Sequence, residues 1–381
     1  MNSTIQQSQD ATHIYYDIQL YNYQSSNTSP PALRFIENRN TAILSTPNLY
    51  SMYIAKFSID TPSLPIFTAQ IQPAPNLNPN LTIYSITLSY NGIDIQEYIH
   101  WIPQDSSLSV PSPPSPLQNN SFGYYNAYSY QHVINVINIG FSTAFNKLYQ
   151  AVEISDALFH TGILPTRNPP FLIWDIQTNS AILNADSAGF TQSDSGVINI
   201  YFNNSLYTYF SSFYAIYSGY QSINGKNKQI VITNNESGSN SIQYPISGDS
   251  TPYTAIQVFQ EYSTIDIWTP ISNITFTSNS LPIVSNLIAT PQIYYDQTQA
   301  TGSSSGSNSS QIITDMTADG MYKPNLLYTP AFPRKISLLG TSDIKVLDIE
   351  VYYKTKTGEL IPFLLNSGCS ASIKISFEKI V

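Results

Sequence analysis

The segments Leu347-Asp-Ile-Glu-Val-Tyr-Tyr-Lys354 and Ala371-Ser-Ile-Lys-Ile-Ser-Phe-Glu378 decide how the rest of the chain is read. In the first, Leu347, Ile349, Val351 and Tyr353 alternate with Asp348, Glu350, Tyr352 and Lys354. In the second, Ala371, Ile373, Ile375 and Phe377 alternate with Ser372, Lys374, Ser376 and Glu378. Successive side chains of a strand point to opposite faces, so each segment reads as a strand with one buried side. A Thr357–Gly358 turn and the apolar run Leu360–Leu365 lie between them, and the two read together as a hairpin. Two strands are not stable alone. Their buried faces need a second layer drawn from elsewhere in the chain. Tyr50–Asp60 is the best candidate for a completing strand, with Tyr53, Ala55, Phe57 and Ile59 on one face.

The same texture runs through the chain. Short strands are expected at Tyr15–Tyr23, at Leu81–Tyr90 with Tyr84, Ile86, Leu88 and Tyr90 aligned, at Phe171–Ile176 and at Val197–Asn203. Others are expected at Thr254–Tyr262, Ile265–Pro270, Ile274–Ser278 and Lys335–Leu339. Asn91-Gly92 is a strong hairpin signal, because both residues tolerate positive φ. One long helix is expected from about Ser129 to Ser155. Tyr130, Val133, Ile134, Ile137, Phe141, Phe145, Leu148 and Val152 recur there every three or four residues. Gly140 costs that helix about 1 kcal/mol relative to Ala, which the stripe offsets. The helix lacks the basic polar face of membrane-surface helices and reads as packed across a sheet. Asn204–Phe213 reads as a short capped helix. Prolines at 103, 111, 113, 114 and 116 mark an extended connection, and 234–251 and Thr301–Ser310 read as Ser/Gly-rich loops. Many short strands around one helix, without an internal repeat, indicate an antiparallel sandwich, jelly roll or barrel.

Of the 381 residues, only 10% are charged, where about 25% is usual, while 13% are aromatic. The chain is too rich in aromatic and β-branched residues for disorder, and no apolar run approaches the roughly 18–20 residues of a membrane span. A surface of Asn, Ser, Thr, Gln and Tyr fits a protein that lies against other proteins, since interfaces are depleted in charge and enriched in Tyr. A net charge of −9 with no basic stripe excludes general nucleic-acid binding, and no sequence-specific nucleic-acid partner is expected. The start Met1-Asn-Ser-Thr-Ile-Gln-Gln carries no secretory pattern, and Cys369 alone forms no intrachain disulfide. Asn-x-Ser/Thr triplets such as Asn80–Thr82 and Asn273–Thr275 read as chance in so Asn- and Ser-rich a chain.

No reaction centre emerges. The four His, at 13, 100, 132 and 160, have no ligand spacing, and His132 reads as a structural residue near the apolar stripe of the helix. Asp315 and Asp319 are a weak cation pair outside any calcium-loop pattern. Glu261 and Asp266 fall on expected neighbouring strands, where a glycosidase would need two opposed carboxylates, but any all-β chain offers such pairs and nothing singles these two out. Phosphate loops, nucleophile elbows and Cys clusters are absent from the sequence. No catalytic, cofactor-binding or metal-binding residue is therefore assigned, and no cofactor is expected.

Four blocks, in order, resemble the vertex (penton) capsid proteins of icosahedral double-stranded DNA viruses, especially Sputnik-type virophages. The first is Phe35-Ile-Glu-Asn-Arg-Asn-Thr-Ala-Ile-Leu, running into Pro47-Asn-Leu-Tyr-Ser-Met-Tyr-Ile-Ala-Lys-Phe-Ser-Ile and Leu64-Pro-Ile-Phe. The second is Tyr130-Gln-His-Val-Ile-Asn-Val-Ile-Asn with Phe141-Ser-Thr-Ala-Phe-Asn-Lys-Leu and Pro170-Phe-Leu-Ile-Trp-Asp. The third runs from Gln260 to Ser278, and the last joins Val351–Phe363 to Ala371–Phe377. The resemblance implies a single jelly roll with an inserted domain containing strands and one helix. On this basis 1–13 is expected to be a flexible arm, 14–98 and 251–381 the two parts of the jelly roll, and 99–250 the insertion, with its Pro-rich approach and helix 129–155.

The resemblance further implies a non-enzymatic structural subunit of the virion, synthesised in the host cytoplasm. Five copies would form a homopentamer at each icosahedral vertex and touch trimers of the major capsid protein. A second-ranked resemblance is to the vertex or turret proteins of archaeal turreted viruses, which share this composition type and a jelly-roll plan. The alternative is a carbohydrate-binding attachment module, with glycans of the host or of a giant virus as partners; a glycan-cleaving enzyme ranks last.

Overall fold

The computed structural model describes residues 12–380 apart from 25–29, 73–77, 79, 105–123, 161, 193–195, 220–222, 233–238, 245–252, 285, 289–291, 296–297, 302–307, 319–323 and 357. Contacts divide these residues into two compact units. One is drawn from Met1–Pro65 and Pro270–Val381, the other from Ile66–Pro113 and Asn120–Thr269.

The chain begins in the first unit with β1 (His13–Tyr21), β2 (Arg34–Asn38) and β3 (Tyr50–Asp60). The second unit follows with β4 (Phe67–Gln70), β5 (Leu81–Tyr90), β6 (Ile93–His100), β7 (Tyr124–Ala127) and α1 (Tyr130–Phe159). It continues through β8 (Phe171–Asp175), β9 (Ser180–Asp186), α2 (Ser187–Phe190), β10 (Asn199–Phe202) and α3 (Asn204–Tyr209). Then come β11 (Ala215–Tyr217), β12 (Lys228–Ile230), β13 (Ser239–Tyr244), β14 (Tyr253–Phe259) and α4 (Ile265–Trp268). Back in the first unit, β15 (Ile271–Thr277) precedes the short strands β16 (Asn286–Ile288), β17 (Gln292–Tyr295), β18 (Thr298–Thr301) and β19 (Asn308–Ser310). The chain closes with β20 (Ile312–Thr317), β21 (Asn325–Tyr328), β22 (Ile336–Ser337), β23 (Val346–Thr355), β24 (Leu360–Pro362) and β25 (Ser370–Lys379).

Two antiparallel sheets enclose the core of the first unit. Their orders are β1-β25-β3-β21 and β2-β23-β15-β20, with β22 added to β3 and β24 to β23. Counting its eight main strands along the chain, the first pairs with the eighth, the second with the seventh, and the fourth with the fifth. The third pairs with both the sixth and the eighth, so the sheet orders become 1-8-3-6 and 2-7-4-5. That is the plan of a jelly roll, a chain doubled on itself and rolled into two facing sheets. The second unit leaves the chain between the third and fourth strands. Leu347, Ile349, Val351 and Tyr353 of β23 and Ala371, Ile373, Ile375 and Phe377 of β25 are all buried in the shared core, as their alternation requires.

The two closing strands are not a hairpin. β25 joins β1 and β3, including the expected partner Tyr50–Asp60, whereas β23 joins β2 and β15 in the opposite sheet. Only β24 folds back on β23. The buried face of β3 also departs from expectation. Tyr50, Met52 and Ile54 are buried and then Phe57 and Ile59, so the parity changes along the strand. In the pairing with β25, Lys374 faces Lys56 and the next residue, Ile375, faces Ile54, leaving Ala55 as the extra residue of a bulge. A bulge moves every later side chain to the other face.

In the second unit, one sheet runs β11-β12-β10-β5-β6 and another β13-β14-β9-β8, with β4 paired to β7. Asn91 (φ 45°) and Gly92 (φ 82°) form the expected two-residue turn between β5 and β6. Helix α1 packs against β5, β6 and β8 and buries the expected stripe from Val133 to Val152, with Tyr130 half-buried. The carboxamide of Asn138 donates to the Leu172 carbonyl (2.9 Å) and accepts from the Leu172 amide (2.7 Å), acting as a further partner for edge strand β8. A Cβ added at Gly140 would meet Ile99 Cγ1 at 3.4 Å and Ile86 Cδ1 at 3.6 Å, ordinary contact distances. Gly140→Ala is therefore expected to stabilise the protein by up to about 1 kcal/mol through helix propensity, read as a raised urea midpoint at unchanged m-value.

Several expectations are corrected here. The limits at 98 and 251 fall inside the second unit, because β5 pairs with β6 and β10 and shares their core. Ile265–Pro270 is no strand: Ile265–Trp268 forms α4, which drives Trp268 into the aromatic core. Within the expected loop 234–251, Ser239–Tyr244 forms β13 on β14, while 234–238 and 245–251 lie outside the described residues. Residues 1–11 of the arm, 105–120 of the Pro-rich stretch and 302–307 of the Ser/Gly loop also lie outside them, whereas His13 begins β1. Helix α1 runs one turn beyond its expected end, and α3 is capped by Asn203 Oδ1, which accepts from the Leu206 amide.

The jelly roll has an acid-sensitive clasp where β3 ends. Asp60 accepts hydrogen bonds from Asn325 Nδ2 (3.0 Å), the Ser370 amide (2.7 Å) and the Ser370 hydroxyl (2.9 Å), tying β3 to β21 and β25. Burial pushes this carboxyl up, but the three hydrogen bonds outweigh it and hold it below its ordinary 3.8. A depressed folded-state pKa stabilises fully above the ordinary value, and that stabilisation drains as pH falls through the lowered one. Asp60→Asn is expected to weaken the fold at neutral pH and to flatten its further loss below about pH 4. Urea unfolding at stepped pH measures both.

Candidate assembly surface

The residues that sequence chemistry singled out are dispersed. His132 Nε2 lies 2.6 Å from the Ile102 carbonyl, its ring edge-on to Trp101, which is a structural role. His13 stands 3.9 Å from Glu378 on β1, His100 ends β6, and His160 adopts the left-handed conformation (φ 54°) that terminates α1. Asp315 on β20 accepts from Asn273 Nδ2 (3.0 Å) and lies 3.9 Å from Arg334; Asp319 is outside the described residues. Glu261 follows β14 in a loop, and Asp266 sits in the first turn of α4, so the two do not occupy neighbouring strands. Among the described residues, no three His, Cys, Asp or Glu side chains gather as a metal-holding group, and no helix is long and apolar enough to cross a membrane.

On β2 and β23, the Arg34 guanidinium grips Asp348 and approaches Glu350 (3.5 Å), while the Tyr352 hydroxyl donates to Glu350 (2.8 Å). The hydrogen bond to Asp348 raises the Arg34 pKa above its already high value, and burial followed by Glu350 raises that of Tyr352. Lys335, just before β22, pairs with Glu378 of β25 (2.6 Å), which lowers the Glu378 carboxyl. These pairs fix cross-strand register and leave large apolar groups outside. Tyr23 is 91% and Phe332 94% exposed, and Tyr15 and Tyr21 stand out from β1. Phe332 lies between Pro330 and Pro333, which limit the backbone freedom an exposed anchor loses on binding. Sequence reasoning missed Phe332, whose only signal is that proline bracket.

A jelly roll with a solid apolar interior and exposed aromatic side chains is a fold that structural capsid subunits share with lectin domains and cupins. The comparisons narrow this. The chain belongs to the Sputnik minor capsid protein V18/19 family, whose profile matches residues 14–379. An uncharacterised protein V18 of Sputnik virophage is 31% identical over 161 residues, 41% of this chain and 95% of that protein. The structural protein V19 of the same virophage is 27% identical over 211 residues, 54% of this chain and 92% of its own length. Among solved structures, a chain of the Sputnik virophage cryo-EM structure matches with TM-score 0.79 and 26% identity, covering 97% of this chain and 98% of its own. The mavirus penton protein shares the fold at TM-score 0.61 and 15% identity, covering 97% and 100%. The chain is thus a structural protein of a virophage-type capsid.

Proposed function

We propose that five copies of this chain close a ring at each icosahedral vertex, flanked by trimers of the major capsid protein. The observation that carries the reading is the unbroken jelly-roll order with a whole second unit between its third and fourth strands, a plan shared with the mavirus penton protein along the length of both chains. A five-fold ring is built from heterologous contacts that close, and a permanent contact of this kind buries about 2,000 Å² or more. On this reading the second unit is the inserted domain, running from Ile66 to Thr269. The protein is made in the host cytoplasm and works in the virion. Native mass spectrometry of the purified chain is expected to give a pentamer, and particle imaging to place its density at the vertices. A stable monomer with no vertex density would overturn the proposal.

A further inference from the structure

Helix α1 ends in an apolar knob. Ile154 (62% exposed), Leu158 (67%), Phe159 (74%) and, just past the helix, Ile163 (70%) all face solvent, although the helix buries its stripe only as far as Val152. The knob is not a frayed end. The Asp156 carbonyl accepts the His160 amide (2.8 Å), and Asp156 Oδ1 accepts the Gly162 amide (2.7 Å), which closes the terminus. Four large apolar groups held rigidly in water are characteristic of a contact site. Glu153 and Asp156 lie among them, and the last turn carries no basic residue. Arg167, which follows, is engaged over the Tyr149 ring at 5.8 Å. This acidic setting disfavours an anionic lipid surface, which recruits basic helices.

A groove of about 480 Å³ in the same unit has complementary character. Tyr207, Thr208, Tyr217, Lys228 and Ile267 line it. Lys228 Nζ stands 4.1 Å from the Tyr217 ring centre and 5.1 Å from that of Tyr207. No described carboxylate forms an ion pair with Lys228. The Tyr207 hydroxyl donates to the carbonyls of Ser211 (3.0 Å) and Phe213 (2.7 Å), so this wall is fixed.

Knob and groove lie toward opposite ends of β5. The Tyr90 hydroxyl holds the Ile163 carbonyl (3.1 Å), while Asn203, beside the groove residue Asn204, holds the Ile83 carbonyl (2.8 Å). Seven strand residues separate these anchors by about 23 Å, so a copy does not fill its own groove. We infer that the α1 knob of one copy seats in the Tyr207–Lys228 groove of the next. Two different patches meeting in this way make a heterologous contact, the kind that closes a ring. The inference rests on the ring reading above and adds its joint.

The test uses the full-length chain. Leu158→Ser with Phe159→Ser, and separately Lys228→Glu, are expected to weaken the ring by about 30-fold or more in native mass spectrometry and sedimentation, as loss of contact anchors does. Glu153→Lys added to Lys228→Glu is expected to restore part of the loss. Leu158→Cys with Thr208→Cys, in a Cys369→Ser background, is expected to give disulfide-linked multimers on oxidation. Circular dichroism checks folding, and if a weakened variant is misfolded the cross-link decides. If the wild type forms rings, the variants form them equally well and no cross-link appears, the knob contact is overturned while the ring reading stands. A wild-type protein that stays monomeric at every concentration removes both. Flotation of wild type, but not of the knob variant, with phosphatidylserine–phosphatidylcholine vesicles would give the knob to lipid and also overturn the inference.

Discussion

Phe276→Ala is expected to destabilise the jelly roll by about 3–5 kcal/mol. Phe276 lies on β15 and Phe57 on β3, in opposite sheets, and both are fully buried with ring centres 4.6 Å apart. Phe57 also stacks at 5.1 Å on Tyr328 of β21. Removing the Phe276 ring therefore deletes transfer free energy and leaves a void between two sheets that cannot collapse without breaking ladders. For a unit of this size the loss corresponds to a melting temperature lower by roughly 6–20 °C. Phe57→Ala is expected to behave similarly, with a coupling between the pair of about 0.5–1.5 kcal/mol in a double-mutant cycle. The three tryptophans, Trp101, Trp174 and Trp268, all lie in the second unit, so indole fluorescence does not report this transition directly. Hydrogen exchange of amides in β3, β15, β23 and β25 does. A loss below about 1 kcal/mol would mean that the two sheets do not face each other across these rings.

Much of this fold was legible because the local period is strong. β23 and β25 alternate without a break, α1 repeats its stripe over five turns, and Asn91-Gly92 has the φ signs its turn demands. What the sequence could not show depends on distant partners. β25 lies closer in sequence to β23 than to β1, yet it pairs residue by residue from His13–Glu378 to Tyr21–Ser370, and no local signal encodes that choice. The Ala55 bulge is equally silent, since it appears only in register with Lys374 and Ile375. Ile265–Trp268 reads as a strand by composition and becomes a helical turn because Trp268 has a place in the aromatic core. The assembly surface was half legible. Low charge and abundant Tyr pointed to protein partners, and the one local clue to the knob is that Ile154, Leu158, Phe159 and Ile163 leave the stripe that ends at Val152.

The low charge has a counterpart inside each unit. Neutral amide and hydroxyl pairs share the cross-strand work with ion pairs such as Arg34–Asp348 and Lys374–Asp17. Thr68 bonds Asn126 (3.0 Å), Gln257 bonds Asn184 (3.1 Å), Gln229 bonds Asn199 (2.9 Å) and Asn325 bonds Ser58 (2.9 Å). Such pairs fix register as charged pairs do, but salt does not screen them. The few charges stand at specific places such as Arg34, Asp60 and Lys228.

Trp268→Ala is expected to cost the second unit about 3–5 kcal/mol. The indole is 1% exposed and centred 5.2 Å from Trp174, 5.4 Å from Phe210, 5.6 Å from Phe67 and 5.8 Å from Tyr130. Its Nε1 donates to the Tyr209 carbonyl (2.8 Å), which also accepts from the Thr264 hydroxyl (2.6 Å). Truncation thus opens the centre of the aromatic cluster and removes one of two donors from a buried carbonyl. Trp268→Phe keeps much of the volume and is expected to cost about 1–3 kcal/mol, most of it from the lost donor and incomplete filling. In the alanine variant, fluorescence of Trp101 and Trp174 should shift toward that of solvated indole at a lower urea concentration than in the wild type. Amide exchange should accelerate across β5, β9, β10 and α1 while amides of β3, β15, β23 and β25 keep their protection, because each unit has its own buried cluster. Phe276→Ala should give the reverse pattern. If either substitution accelerated exchange equally in both sets, the two cores would be one cooperative body, and Pro65 and Pro270 would mark a change of contacts without a boundary of stability.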